Sequence, residues 1–261
     1  MKIALHGASG RMGQSVVRVV HERGDHQIVG AVAAPDDPHQ GRDVGEVAGI
    51  GVIGVTVTSD LSAGLLGADV IIDFSAAVAL VQLARAAARA RLPLVSGTTA
   101  IGKTGEAAID DAGKLIPVLW APNMSLGIEV LAKLARTATD LLGEDFDVEI
   151  VETHHKHKVD APSGTALRLA AAVREARGNL VVKHSRDGAA GRRTSNELTI
   201  SALRGGDVIG DHTIHMLARG ERLELTHRAT QRDLFAHGAV RAARFLVGKR
   251  PGRYALADVI G

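Results

Sequence analysis

Three imidazoles and two ammonium groups occupy five consecutive positions of this 261-residue chain: His154, His155, Lys156, His157 and Lys158. They belong to the run Glu152 to Thr165, set between an apolar run with strand character and an alanine-rich run with helix character. Crowding cationic and titratable groups is electrostatically unfavourable unless an anion sits among them. A small substrate carrying carboxylates or phosphates meets that need. Pro162, Ser163, Gly164 and Thr165 follow at once. Ser163 is a good N-cap for the next helix, and the backbone amides of Gly164 and Thr165 would then carry the partial positive charge of its first turn. With Lys158 they form a carboxylate clamp, and Asp160 serves to orient the lysine-rich loop. A zinc site is disfavoured, because the lysines repel a cation and no Asp or Glu of ligand-like spacing completes the set. The bland alternative is a solvated charged loop, against which the immediate helix start argues.

A second chemistry is written at the other end of the chain. Gly7, Gly10 and Gly13 follow an apolar run and open a helical one. In that context glycines let the backbone approach a pyrophosphate, while the helix N-terminus balances its charge. The spacing departs by one residue from the usual dinucleotide fingerprint, and the alternative is a tight strand-to-helix turn without a ligand. After the second strand an Asp or Glu would hold an adenosine ribose and a basic residue a 2′-phosphate. Ala33 and Ala34 supply neither. With no acid to repel phosphate and Arg11 in the loop, the reading is NADPH or NADH, NADPH weakly favoured, and no metal.

The elements that must position these groups follow from periodicity. Over the first 122 residues, short apolar runs (Lys2 to His6, Ile28 to Ala33, Val70 to Phe74, Leu94 to Ser96, Val118 to Trp120) alternate with helical ones such as Met12 to Arg23 and Ala76 to Ala90, the rhythm of βαβ units on a parallel sheet. After Asn123 the pattern changes to a helix Leu126 to Leu142, a strand Asp147 to Thr153, the His/Lys segment and a helix Thr165 to Arg177. Three alternating runs near Glu197 to Ser201, His212 to Ala218 and Glu221 to His227 then predict antiparallel strands joined by turns at Gly205-Gly206 and Gly220. An amphipathic helix Leu234 to Val247 returns to the first domain. Val181 to Arg193 reads as a mobile surface loop, Arg192 and Arg193 as a solvated face, and His212, His215 and His227 as packing or subunit contacts. The expected fold class is α/β: a Rossmann-like dinucleotide-binding domain over 1–124 and 235–261, and an inserted α+β substrate-binding domain over 125–234 with a mixed, largely antiparallel sheet.

Composition narrows the partners. Lys plus Arg number 31 against 29 Asp plus Glu, and aromatic residues make up 2%. Neither an electrostatic footprint nor stacking platforms for nucleic acid are present. With no cysteine, disulfides and thiolate metal sites are excluded. No run of about 18 apolar residues and no leader pattern at Met1 to Leu5 appear, so a cytoplasmic protein without membrane contact is expected.

The segment His154 to Thr165, together with Gly7 to Gly13, Gly97-Thr98-Thr99, Ala121-Pro122-Asn123-Met124, Gly210-Asp211-His212-Thr213 and Thr226-His227-Arg228-Ala229, resembles the 4-hydroxy-tetrahydrodipicolinate (dihydrodipicolinate) reductase family over essentially the whole chain. The resemblance implies a homotetrameric enzyme of diaminopimelate and lysine synthesis that reduces a cyclic imine dicarboxylate with NADH or NADPH. It implies His154 as catalytic proton donor or acceptor, Lys158 as catalytic proton donor, and His155, Ser163, Gly164 and Thr165 as substrate binders. Cofactor contacts are implied at Gly7, Ala8, Ser9, Gly10, Arg11 and Met12, at Gly97, Thr98 and Thr99, and at Ala121, Pro122, Asn123 and Met124. Two departures stand out. Ala33-Ala34 replace an acidic-basic pair, and Ala100 stands where glycine is usual, which is expected to matter little. The neighbouring ammonium groups are expected to lower the His154 pKa, a bound dicarboxylate to oppose that shift. Another nicotinamide-dependent reductase and a non-catalytic NAD(P)-sensing regulator are the rival readings; the intact His154 to Thr165 segment counts against the latter.

Overall fold

The computed structural model describes residues 1–261, which divide into two compact units, Met1–Leu126 with Arg232–Gly261, and Gly127–Gln231. In the first, β1 (Lys2–His6), α1 (Arg11–Arg23), β2 (Gln27–Val32), α2 (Val44–Ala48), β3 (Val57–Thr58), α3 (Leu61–Leu65), β4 (Val70–Asp73), α4 (Ala77–Ala90), β5 (Leu94–Ser96), α5 (Gly102–Gly113) and β6 (Pro117–Trp120) follow in order. The chain crosses to the second unit through α6 (Leu126–Leu142), then forms β7 (Asp147–His154), α7 (Gly164–Ala176), β8 (Val181–His184), β9 (Glu197–Arg204), β10 (Gly210–Ala218) and β11 (Glu221–Ala229). It returns through α8 (Asp233–Leu246), β12 (Gly252–Tyr254) and α9 (Leu256–Ile260) to the first.

Every pairing in the first sheet is parallel, in the order β12-β6-β5-β4-β1-β2-β3. Parallel strands buried on both faces need no polar-apolar alternation, and Val70, Ile71 and Ile72 are all fully buried. One face packs Ile3, Leu5 and Ile72 with Val16, Val240 and Leu246; the other packs Ala4, Ile71 and Leu94 with Leu80, Leu83 and Ile109. The strand order reverses between β1 and β4, which opens a crevice at their carboxyl ends.

The second sheet runs β11-β10-β7-β9-β8. β10 pairs antiparallel with β11 and with β7, whereas β9 is parallel to both β7 and β8. The alternation of Glu197 to Ser201 does mark a strand, but it runs parallel to β7, which lies across helix α7, and to β8, which lies across residues 185–196, so the expected antiparallel pairing gives way there. Hydrophobic burial decides this: Leu198 and Ile200 join Val148, Ile150, Ile214 and Met216 under α6 and α7. The Val181 to Arg193 segment is likewise more ordered than composition suggests. Its first four residues are β8, Lys183 and Arg186 both pair with buried Glu197, and Arg193 pairs with Glu149 at 2.9 Å and with Asp147. Charge that looked solvated in the sequence neutralises carboxylates on neighbouring strands.

Candidate active site

Each unit presents one candidate site. In the first unit, Gly7 follows β1 at φ +76°, and an added Cβ would lie 2.4 Å from the Phe74 carbonyl oxygen. A Cβ on Gly13 would lie 2.2 Å from the Gly7 carbonyl, so α1 can seat against the turn only with glycine there. The Gly7 and Ala8 amides both donate to the Val32 carbonyl, which joins the turn to β2. Helix α1 starts at N-cap Gly10 with no side-chain cap and no acid in its first turn. Uncapped amides at the end of a 13-residue helix, beside a turn that excludes side chains, fit a dinucleotide pyrophosphate.

The loop after β5 is drawn to the same end of the sheet by Asp73. This fully buried carboxylate accepts from Ser96 Oγ at 2.6 Å and Thr98 Oγ1 at 2.7 Å, and faces His6 Nδ1 at 2.7 Å. Burial pushes its pKa up, but these hydrogen bonds and the His6 interaction outweigh it and hold Asp73 below the usual carboxylate range. Trp120 Nε1 donates to the Thr98 carbonyl at 2.8 Å, and a Cβ on Gly97 would strike the Phe74 ring. Thus Gly7 to Met12, Gly97 to Thr99 and Ala121 to Met124 gather at the carboxyl ends of β1, β5 and β6. Ala8 and Met124 are buried in the core, so neither presents a side chain at the surface of the site. Ala100 takes φ +55°, a left-handed conformation that costs a residue with a Cβ about 1–2 kcal/mol. The glycine usual there therefore has a backbone reason, and the substitution carries more weight than its sequence position suggests. A carboxylate is also nearer the glycine turn than Ala33-Ala34 implied: Asp37 accepts from Ser9 Oγ at 2.5 Å and from the His39 amide at 2.8 Å.

In the second unit the site is built on strand register. Side chains two apart share a face, and in β7 Val148, Ile150, Glu152 and His154 all point inward. The last two continue the hydrophobic row past the point where Val148 and Ile150 meet the helices. Opposite Glu152 on β10 stands His212, and beside His154 on β9 stands Arg204. Glu152, wholly buried, receives His154 Nδ1 at 2.5 Å, Arg204 Nη1 and Nη2 at 2.8 Å each, and the Ser163 amide at 3.1 Å. Burial pushes the Glu152 pKa up, yet Arg204, His154 and Ser163 together hold it below the carboxylate range. His154 is shifted down, first by burial, with Lys158 and Arg204 adding to that and Glu152 opposing it. The expected direction holds, while its leading cause is desolvation and not the lysines.

His212 meets His154 edge-on, ring centroids 5.2 Å apart, and contacts Ser163 Oγ at 3.1 Å. Burial, then the neighbouring His154, lower its pKa to about 4, so it stays neutral at physiological pH. Lys158 Nζ is held by the two Asp160 oxygens at 2.7 and 2.8 Å, the orienting role expected of that acid. Ser163 is the N-cap of α7 through the Ala166 amide at 3.1 Å. Its hydroxyl is committed to that cap and to His212, and not to open space. Gly164 is exposed, nothing within 4 Å would meet a Cβ there, and no acid occupies the first turn. His155 is half-buried beside His157, with ring centroids 6.2 Å apart. No group of three or more His, Asp or Glu is arranged to hold a metal ion, and no helix is long and apolar enough to cross a membrane. Sequence reasoning missed Glu152, Arg204 and His212 as members of this site; the signal available was the inward period of β7, which places a carboxylate two residues before His154.

Known proteins resemble this chain along its whole length. Residues 1–124 match the family model described as dihydrodipicolinate reductase, N-terminus, and residues 127–260 the one described as dihydrodipicolinate reductase, C-terminus. A 4-hydroxy-tetrahydrodipicolinate reductase of Anaeromyxobacter dehalogenans (strain 2CP-C) is 46% identical, covering 100% of this chain and 97% of its own. One of Geobacter metallireducens is 43% identical, covering 100% and 99%. Among solved structures, a dipicolinate-bound dihydrodipicolinate reductase from Paenisporosarcina sp. TG-14 shares the fold with a TM-score of 0.79 at 22% identity, over 98% of this chain and 97% of that one. On this full-length similarity the chain belongs to the dihydrodipicolinate reductase family.

Proposed function

We propose that the second unit of this chain binds a cyclic dicarboxylate at the N-terminus of α7 and protonates it through His154 and Lys158. The reaction is the family's own, NAD(P)H-dependent reduction of 4-hydroxy-tetrahydrodipicolinate on the diaminopimelate route to lysine. The observation that carries the residue assignment is that Glu152 binds both His154 Nδ1 and the Ser163 amide at the acid-free start of α7, with Lys158 near enough to lower the His154 pKa. One substrate carboxylate lies against the Gly164 and Thr165 backbone, where the helix end is positive, and His155 stands at the rim. Lys158 leaves Asp160 for the incoming anion, a trade between two carboxylates of similar strength. The reduced nicotinamide, when bound, would supply hydride; its pyrophosphate would be held at Gly7 to Met12, and Gly97 to Thr99 and Ala121 to Met124 would make its remaining contacts. The 4-hydroxyl leaves as water to give the conjugated dihydrodipicolinate ring, hydride addition to that ring leaves an enamine-like anion, and His154 supplies the proton. A histidine held below its ordinary pKa gives up a proton readily near neutrality, and the approaching anion raises that pKa enough to load it first.

Both cofactors are accepted in this reading, NADPH weakly favoured. Ala33-Ala34 present no acid, and the Asp37 oxygens are engaged by Ser9 and His39. A Michaelis constant for NADH far below that for NADPH would reverse the preference. The working form is a cytoplasmic homotetramer, to be checked by light scattering. The activity is tested by loss of NAD(P)H absorbance on mixing with freshly generated substrate, with pyridine-2,6-dicarboxylate as planar competitor. Oxidation that the competitor suppresses supports the reading, and a binding isotherm for the competitor that is unchanged in Lys158→Ala overturns the assigned site.

A further inference from the structure

Glu152 and Arg204 have no part in the chemistry just described, yet they are the most heavily hydrogen-bonded groups of the site. A carboxylate paired with a guanidinium is an acceptor only. The 2.5 Å contact between Glu152 Oε2 and His154 Nδ1 therefore requires the hydrogen on Nδ1. Nε2 is left as the nitrogen that can take and give a proton. It faces Gly210, where a Cβ would approach it to 3.0 Å, so glycine on β10 keeps space at that atom. Arg204 spans the site: two nitrogens reach Glu152, and Nη2 also donates to the Asp160 carbonyl at 2.7 Å, in the residue whose side chain holds Lys158.

We propose that Glu152, clamped by Arg204, is a positioning residue that fixes His154 as the Nδ1–H tautomer with Nε2 directed to substrate, and that Arg204 ties this arm to the loop carrying Lys158. The inference rests on His154 being the proton-handling group. The groups that face His154 are Glu152 on its own strand, Lys158 and Asp160 from the loop, Ser163 at the start of α7, Arg204 on β9 and His212 on β10, with His227 next to His212 on β11. Of these, Glu152 favours the imidazolium while Arg204 and Lys158 disfavour it. Deleting the carboxylate and deleting the guanidinium must then move the same titration in opposite directions.

The test is nitrogen-15 NMR of the His154 ring together with the pH profile of kcat/KM, on the full chain. In the wild type the ring resonances show Nδ1 protonated. Glu152→Gln, which keeps the volume, lowers kcat about 10- to 100-fold with substrate KM within about threefold, and shifts the His154 limb about one pH unit downward. Arg204→Met shifts that limb upward, and Arg204→Lys restores it part of the way. Should Glu152→Gln fail to fold, the upward shift in Arg204→Met decides alone. A wild-type ring protonated on Nε2, or a limb that stays in place in every folded variant, overturns the inference. Failure of the underlying functional reading looks different: His154→Gln would then keep wild-type turnover while the NMR result stood.

Discussion

The glycine turn of the first unit and the histidine site of the second handle negative charge by opposite means. At Gly7 to Met12 the work falls to backbone: amides at the uncapped start of α1 and positions where no side chain fits. At His154 the work falls to side chains brought from β7, β9, β10 and the cap of α7, with a buried carboxylate at the centre. A backbone site is fixed by local spacing and carries no titratable group of its own. A side-chain site can exchange protons, and it depends on groups about fifty residues apart. One suits holding a cofactor, the other suits chemistry.

Substitutions can sharpen or break that contrast. The largest effect is expected from His154→Ala or Lys158→Ala, which should lower kcat by about two to four orders of magnitude in stopped-flow NAD(P)H assays; wild-type turnover in the double variant would end the assignment. Next, Gly13→Ala places a methyl 2.2 Å from the Gly7 carbonyl and must displace backbone. Cofactor KM should rise more than tenfold and stability fall by about 1–3 kcal/mol, while calorimetric binding of pyridine-2,6-dicarboxylate holds. Loss of both ligands together would show that the backbone site and the side-chain site are not separable.

Acid should distinguish the units as well. The His212 pKa is lowered to about 4, so between an unfolded value near 6.5 and that figure the unfolded chain binds a proton that the native chain does not. The stabilisation is complete above pH ~6.5 and is lost as pH falls toward 4. Urea midpoints should drop by the equivalent of about 2 kcal/mol from pH 7 to pH 5, and His212→Phe should flatten that slope. Gly164→Ala meets no atom of the chain within 4 Å, so its stability should match the wild type while substrate KM rises several-fold; unchanged KM would mean the carboxylate binds elsewhere. The smallest effect is expected from Ala100→Gly, which relieves the left-handed strain at φ +55° and should raise stability by about 0.5–1 kcal/mol, partly offset by the freer unfolded chain.

What could be read from sequence follows the same division. The glycine turn, the parallel strands and the cap at Ser163 were legible because each is set by residues within a few positions of one another. So was the crowding of His154 and Lys158, which is local. Glu152 stood in plain view, but its service to His154 became visible only with the inward period of β7 and the hydrogen bonds it receives. Arg204 and His212 were hidden for a stronger reason: parallel register between β7 and β9, and antiparallel register between β7 and β10, decide which residues of distant segments stand side by side. The conformation of Ala100 and the reach of Asp37 to Ser9 are likewise backbone results that residue type alone does not announce.

The return of the chain through α8 and β12 has a consequence for biogenesis. Gly127–Gln231 is contiguous in the chain, whereas the first unit is completed only by Arg232–Gly261. Ala236, Ala239, Val240, Ala243 and Leu246 fill its core, and β12 covers the border of its sheet at β6. Until residues 233–254 are synthesised, that half carries a greasy gap and a bare strand edge, a natural target for chaperones during translation.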